Sequence, residues 1–231
     1  MSFQFKKFQI EDKNSSMKLG TDAVLLGAWA EPNKGDRILD VGGGTGIVSL
    51  MIAQRYSDTE IYTVEINKDT FIDLQTNIEK SPWNNRITVI QSDFNSYNFS
   101  DKFDLVISNP PFFDADLSNI NAGRKLARQK EALNPQQLCR KASEILKQNS
   151  SLIIIYPFSS RGEFIKEALL NGFYLWKELK IRDKLSLDFK RSILHFKNVK
   201  QNNIIQKELC IKNNNGTYTE EFKNLTKEFY L

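Results

Sequence analysis

The chain has 231 residues, of which 40% are hydrophobic and 26% charged, and a formal net charge of +4. That composition suits one globular domain able to bury a core without staples. It excludes a membrane-spanning chain, since no apolar run approaches the ~18 residues a span needs; the strongest, Leu152 to Phe158, has strand length. The first eight residues alternate Phe with polar side chains and carry Lys6 and Lys7, so no signal peptide is expected. Cys139 and Cys210 lie far apart and outside any C-x-x-C. They predict neither a disulfide framework nor a Cys-ligated zinc site, and they suit a reducing cytoplasm. The single histidine, His195, excludes poly-His metal sites and leaves triad chemistry one candidate base. His195 sits in an apolar strand and is read as structural, and Cys139 as a small buried hydrophobe.

The elements follow in chain order. Residues Phe3 to Ile10 alternate, with Phe3 and Phe5 on one face, and predict an edge strand or hairpin arm. Gly20-Thr21-Asp22 precedes an apolar run, Ala23 to Ala30, stopped by Pro32: a short helix capped by Thr21 or Asp22. Regular alternation begins at Arg37. Strands are expected at 37–41, 61–66, 87–91, 103–108, 152–156, 173–181 and 192–199, and helices at 47–56, 68–80, 135–148 and 160–170. This order predicts a parallel, doubly wound α/β sheet whose last two strands form an antiparallel closing hairpin. The tail predicts a turn at Asn213 to Gly216 and a helix from Tyr218 to Phe229. The stretch from Asp114 to Leu133 is long and polar and reads as a functional loop.

Between the first buried strand and its helix lies Asp40-x-Gly42-x-Gly44-x-Gly46. Glycines there let backbone approach a ligand. The dinucleotide spacing fails because Ile47 stands where a third glycine belongs, and the Gly-Lys-Ser/Thr ending of a P-loop is absent. Glu65, nineteen residues after Gly46, ends the second strand, where a carboxylate can accept both hydroxyls of an adenosine ribose. Asp93 follows the third strand and suits the adenine amino group. These positions are the carboxyl ends of strands, where open α/β sheets bind ligands. Here the chain resembles a class I methyltransferase using S-adenosylmethionine. The resemblance implies a seven-stranded, mostly parallel Rossmann-like sheet.

Asn109-Pro110-Pro111-Phe112 follows the fourth strand. An exocyclic aromatic amine is a poor nucleophile because its lone pair is delocalised into the ring. The Asn109 side-chain oxygen and the Pro110 carbonyl can accept its two hydrogens, localise that lone pair and aim it. Two prolines fix φ and remove N–H donors, so the turn presents carbonyls in a rigid frame. Phe112 can stack on the base. The motif resembles the Asn/Asp/Ser-Pro-Pro-Tyr/Phe signature of amino-methyltransferases acting on adenine N6, guanine N2 or a glutamine amide, with Phe in place of the more frequent Tyr.

The flanks choose among these. Lys18 to Ala30, Ser81-Pro82-Trp83, Ala127-Arg128 and Leu225 to Leu231, in this order, resemble the bacterial tRNA1(Val) adenine-N6 methyltransferases over nearly the whole chain. That family methylates the adenine immediately 3′ of the anticodon. The resemblance implies one domain, with a 1–34 extension, a 35–200 core and a 201–231 extension. It implies cofactor contacts from Gly20, Thr21, Asp22, Asp40, Gly42, Gly44, Gly46, Glu65, Ile66, Asp93, Phe94 and Asn109. Target-base contacts would come from Asn109 to Phe112, and RNA contacts from Arg124 and Arg128. The expected partner is tRNA, with no metal or membrane, and the expected state is a cytoplasmic monomer or weak dimer. Basic residues outnumber acidic ones from Arg124 to Lys147 and from Lys177 to Lys200, which fits an RNA footprint as well as solvated faces. Three alternatives stand beside this reading. A guanine-N2 ribosomal-RNA enzyme often carries a second domain copy, for which the chain is too short. A glutamine methyltransferase usually has an N-terminal helical domain, where only about 35 residues precede the first strand. An inert RNA-binding module has no need of intact Asp40, Glu65 and Asn109.

Overall fold

The computed structural model describes residues 2–15, 19–110 and 134–230. A small antiparallel hairpin comes first, β1 (Ser2–Gln4) with β2 (Gln9–Glu11), pairing Phe3 with Ile10. Next are α1 (Thr21–Trp29), β3 (Arg37–Val41), α2 (Ile47–Arg55), β4 (Glu60–Glu65), α3 (Lys68–Glu79), β5 (Ile87–Gln91) and β6 (Phe103–Ser108). After the undescribed stretch come α4 (Pro135–Ile145), β7 (Leu146–Pro157), α5 (Arg161–Leu170), β8 (Tyr174–Lys184), β9 (Arg191–Lys197), β10 (Ile205–Lys212) and α6 (Glu220–Thr226).

The main sheet has the order β10-β8-β9-β7-β6-β3-β4-β5. Its pairings are parallel except for those of β9 with β7 and β8, which form the expected closing hairpin. Strand order reverses between β3 and β6, so the crevice for a ligand opens at the carboxyl ends of β3, β4 and β6.

Both faces of the sheet are covered, which explains why the central strands read as unbroken apolar runs. Successive residues serve alternate layers. Ile38, Leu105, Ile107 and Ile153 join the core beneath α1 and α2, whereas Leu39, Val106, Leu152 and Ile154 join that beneath α4 and α5. Helix α1 lies close on α2 because Gly27 has no side chain; a Cβ there would sit 2.9 Å from Met51 Sδ. Arg55 Nη1 closes the end of α1 by donating to the carbonyls of Gly27, Ala28 and Ala30 at 3.0, 2.7 and 2.9 Å.

Several expected boundaries shift for visible reasons. Gly20, in extended conformation, is the N-cap of α1, so neither Thr21 nor Asp22 caps it. Asp22 instead accepts a 2.8 Å hydrogen bond from Arg191 Nε. Helix α4 stops at Ile145 and β7 begins at once, earlier than expected, with Leu146 paired to Phe103. Among the described residues the sheet has eight strands rather than seven: β10 adds an edge beside β8 in a stretch where no strand was expected. Tyr218 pairs with Lys212 in a β-bridge, and Thr219 caps Phe222 N–H at 3.2 Å, which delays the last helix to Glu220.

Candidate active site

The glycine loop leaves β3 along the end of β4. Gly42 and Gly43 N–H both donate to Val64 O, at 2.9 and 3.1 Å. Gly42, Gly44 and Gly46 have φ of +71°, +58° and +85°, a region costly to residues with a Cβ. A Cβ added at Gly42 would meet nothing within 4 Å, and one at Gly44 only Gly42 O at 3.9 Å. The loop therefore presents bare backbone to open space. Gly43, which the sequence reading passed over, does the opposite: a Cβ there would lie 1.9 Å from Thr63 Oγ1, so glycine is what lets the loop lie against β4.

Acidic groups flank this backbone. Asp40 is buried and accepts from Ser49 Oγ at 2.7 Å. Burial, helped by the nearby Glu65 charge and opposed by hydrogen bonds from Ser49, pushes its carboxyl up to about 7. Glu65 Oε2 accepts from Gly44 N–H at 3.0 Å, and Oε1 accepts from Asn67 N–H at 2.9 Å. Ile66 follows with 45% of its surface exposed, an apolar face beside the Glu65 carboxylate. Ser92 N–H donates to Glu65 O at 3.1 Å, which brings the end of β5 alongside. Asp93 Oδ1 accepts from Asn95 N–H at 2.9 Å. The Phe94 ring is buried in the core beneath α4 and 6.2 Å from Phe99, so backbone is what Phe94 can offer a ligand.

The Asn-Pro turn starts beside the glycine loop. Ser108 Oγ donates to Val41 O at 2.8 Å, joining the residue before Asn109 to the residue before Gly42. Asn109 is half-buried and Pro110 buried. Pro111, Phe112, Arg124 and Arg128 lie outside the described residues. Gly20 and Thr21 line an apolar cavity of about 280 Å³ with Phe3, Val24 and Tyr230. Asp22 is engaged by Arg191. The structure thus gathers Asp40, Gly42, Gly44, Glu65, Asp93 and Asn109 at adjacent strand ends; Gly46 is buried against Leu74 and Ile78, and Gly20 and Thr21 line the cavity beside the N-terminal hairpin.

Sequence reading missed the supporting residues. Ser49 is a lone hydroxyl in the apolar run Ile47 to Ala53, a visible signal that it has an inward partner. Asn77 had none. It accepts from Glu11 N–H and donates to Glu11 O and Thr45 O, all at 2.9 Å, joining the N-terminal hairpin to the glycine loop. One turn earlier, Asp73 accepts from the N–H groups of Asn14 and Ser15 at 2.8 Å.

His195 plays no part here. Its Nε2 lies 3.0 Å from Ser151 Oγ, and its ring packs edge-on to Trp29 and Trp176. Among the described residues no group of acidic, His and Cys side chains is arranged to hold a metal, and no helix is long and apolar enough to cross a membrane.

A doubly wound sheet that opens a bare glycine loop beside two strand-end carboxylates and an Asn-Pro turn defines a Rossmann-like methyltransferase. The architecture matches a protein of Agrobacterium tumefaciens described as a predicted O-methyltransferase, with TM-score 0.72 and 20% identity over 90% of this chain and 96% of that one. It also matches a methyltransferase of Pyrococcus furiosus, with TM-score 0.53 and 17% identity over 73% and 77%.

The chain belongs to the methyltransferase small domain family, whose model matches residues 15–174. Relatives named tRNA1(Val) (adenine(37)-N6)-methyltransferase align over almost its whole length. That of Bacteroides thetaiotaomicron is 36% identical, covering 99% of this chain and 97% of its own. That of Flavobacterium johnsoniae is 36% identical over 99% of each, and that of Photorhabdus laumondii 34% over 99% and 95%. S-adenosylmethionine is the cofactor of this class, and the residues present fit it: an open backbone cradle for its amino-acid part, a strand-end carboxylate for a ribose and an exposed Ile66 for an adenine face.

Proposed function

We propose that this protein methylates the N6 amino group of an adenine in tRNA, the adenine immediately 3′ of the anticodon of tRNA1(Val). The observation that carries the reading is the Ser108–Val41 hydrogen bond. It holds the Asn109 turn one strand away from the glycine loop, so amine and methyl donor meet at one crevice. The relatives' names and full-length similarity favour adenine over guanine or glutamine.

S-adenosylmethionine supplies an electrophilic methyl group with a good leaving group. Glu65 receives the ribose hydroxyls and Ile66 covers the adenine. Asp93 and the Phe94 backbone reach its edge, and Asp40 with Gly42, Gly44 and Gly46 lines the amino-acid part, closed by Gly20, Thr21 and Asp22. The Asn109 amide oxygen and the Pro110 carbonyl accept the two amine hydrogens, and Pro111 and Phe112 complete the frame and the stack. Catalysis is then orientation and electrostatics, with no strong base before transfer. The surplus proton leaves afterwards to water.

An anticodon-loop base lies outside a continuous duplex, so presenting it costs little beyond unstacking. Arg124 and Arg128 contact the RNA backbone. We place the enzyme in the cytoplasm as a monomer or weak dimer. The test is to incubate the protein with S-adenosylmethionine and a tRNA1(Val) transcript and analyse the nucleosides by mass spectrometry. N6-methyladenosine is expected; N2-methylguanosine, or no methylated nucleoside, contradicts the reading.

A further inference from the structure

The closing hairpin carries an arrangement that the site above does not use. Phe158 directly follows β7 and is tied to the hairpin by its N–H, which donates to Lys190 O at 3.0 Å. Its ring centroid lies 5.1 Å from that of Phe189, at 41°. Arg161 Cζ stands 3.5 Å from the Phe158 centroid, and Arg182 Cζ 4.4 Å from the Phe189 centroid. The four side chains form a ladder: Arg161, Phe158, Phe189, Arg182. Each guanidinium is held by a carboxylate from the sheet, Arg161 by Glu178 at 3.1 Å and Arg182 by Glu208, so its orientation is fixed before any ligand arrives.

Beyond the ladder, the turn between β8 and β9 exposes Leu185 (65%) and Leu187 (44%). Lys184 and Lys190 border it and Lys180 lies further back in β8; none of the three forms an ion pair among the described residues. Of the nearby acids, Asp183 is paired with Lys212 at 3.5 Å, which leaves Asp188 as the tip's own negative charge. The surface is therefore cationic, aromatic and tipped with two apolar side chains. It also lies beyond the carboxyl end of β7, in the sheet that carries the reaction: β7 pairs Ile154 with Ser108 and runs on three residues before Phe158, one strand away from Asn109.

We infer that this face binds the unpaired nucleotides flanking the target adenine, the ladder and lysines meeting bases and phosphates and the Leu185–Leu187 tip wedging against an unstacked base. The inference rests on the proposed function and adds to it a second RNA contact surface. Unpaired RNA is read by stacking on aromatic rings and guanidinium planes and by cations on phosphates, which is the chemistry present here.

The test uses the full chain in four forms: wild type, Phe189→Ala, Lys184→Ala/Lys190→Ala and Leu185→Ser/Leu187→Ser, the last also followed for self-association. Cofactor affinity is followed by calorimetry, tRNA affinity as a function of salt, and methylation by nucleoside analysis. Phe189→Ala is expected to weaken tRNA binding by about 5- to 150-fold, the range of one lost base stack, with unchanged cofactor affinity. The lysine pair, which is on the surface and leaves the core intact, is expected to flatten the logarithmic salt slope by roughly 0.7 for each charge removed. Wild-type tRNA affinity and salt slope in both the Phe189 and the lysine variants would overturn the inference while leaving the proposed function standing. A wild-type protein that binds cofactor yet never methylates tRNA would overturn both. Loss of self-association in Leu185→Ser/Leu187→Ser with unchanged tRNA binding would assign the tip to a second copy of the chain and overturn the RNA assignment.

Discussion

Glu65 and Gly44 are joined by a 3.0 Å hydrogen bond from backbone N–H to carboxylate, across the mouth of the crevice. The same carboxylate holds Asn67 N–H at the start of α3, where the Asn67 side chain caps Thr70 N–H. One buried side chain thus sets both the glycine loop and the first turn of the next helix.

Glu65→Ala should for that reason weaken cofactor binding through lost shape as well as a lost acceptor. Hydrogen bonds to charged groups are worth about 1.5–3 kcal/mol, which corresponds to roughly a 10- to 150-fold rise in cofactor Kd. Calorimetry with S-adenosylmethionine checks this, and wild-type affinity would remove Glu65 from the cofactor site.

Asn77 supports the loop from behind. Asn77→Ala leaves Glu11 N–H, Glu11 O and Thr45 O without their partner. A loss of about 1–3 kcal/mol in folding stability is expected, together with weaker cofactor binding. Asn77→Asp keeps the acceptor for Glu11 N–H but turns a buried carboxylate oxygen toward Glu11 O and Thr45 O, and should destabilise at least as much. Chemical denaturation with parallel calorimetry reads both effects.

Asp40 gives the site a pH dependence. Its carboxyl is raised to about 7 in the folded protein from an ordinary 3.8. A raised acid favours the protonated folded state, so the ligand-free protein should lose stability as pH rises from about 4 to about 7. A cationic ligand group favours the ionised form, so cofactor affinity should rise over the upper part of that window, with proton release on binding. Melting curves and calorimetry in buffers of different ionisation enthalpy measure both trends, and Asp40→Asn should abolish both.

His195 gives the opposite trend in stability. Burial, with Lys197 and Lys177 nearby, lowers it to about 3 from 6.5. The unfolded chain then binds the extra proton, so this contribution is complete above about 6.5 and disappears as pH falls toward 3. His195→Gln should flatten the acid limb of the stability profile without changing the methylation rate at pH 8. A large rate loss there would mean that the imidazole serves the reaction.

Much of this was legible from periodicity. The strands from Arg37 to Ser108 were readable because central parallel strands are apolar on both faces, and the helices between them because their caps and stops are local. The placing of Asp40, Glu65 and Asn109 at the ends of β3, β4 and β6 was readable because each follows directly from the bounds of an apolar strand. What stayed hidden depends on tertiary contact. Strand β10 is exposed from Ile205 to Glu208, so it lacks an apolar signal and is defined by its pairing with β8. Asp22 looked like a helix cap until Arg191, far along the chain, claimed it. Asn77 and Ser108 act through carbonyls of other segments, which no local pattern announces.

The central claim is that the Asn109 turn, held beside the glycine loop, orients the target amine. Single-turnover methylation of tRNA by Asn109→Ala, at saturating cofactor and RNA, tests it directly. The account predicts a rate lower by roughly 10²–10³-fold, a loss far larger than any change in cofactor Kd, with the melting temperature unchanged. Near wild-type turnover would contradict it.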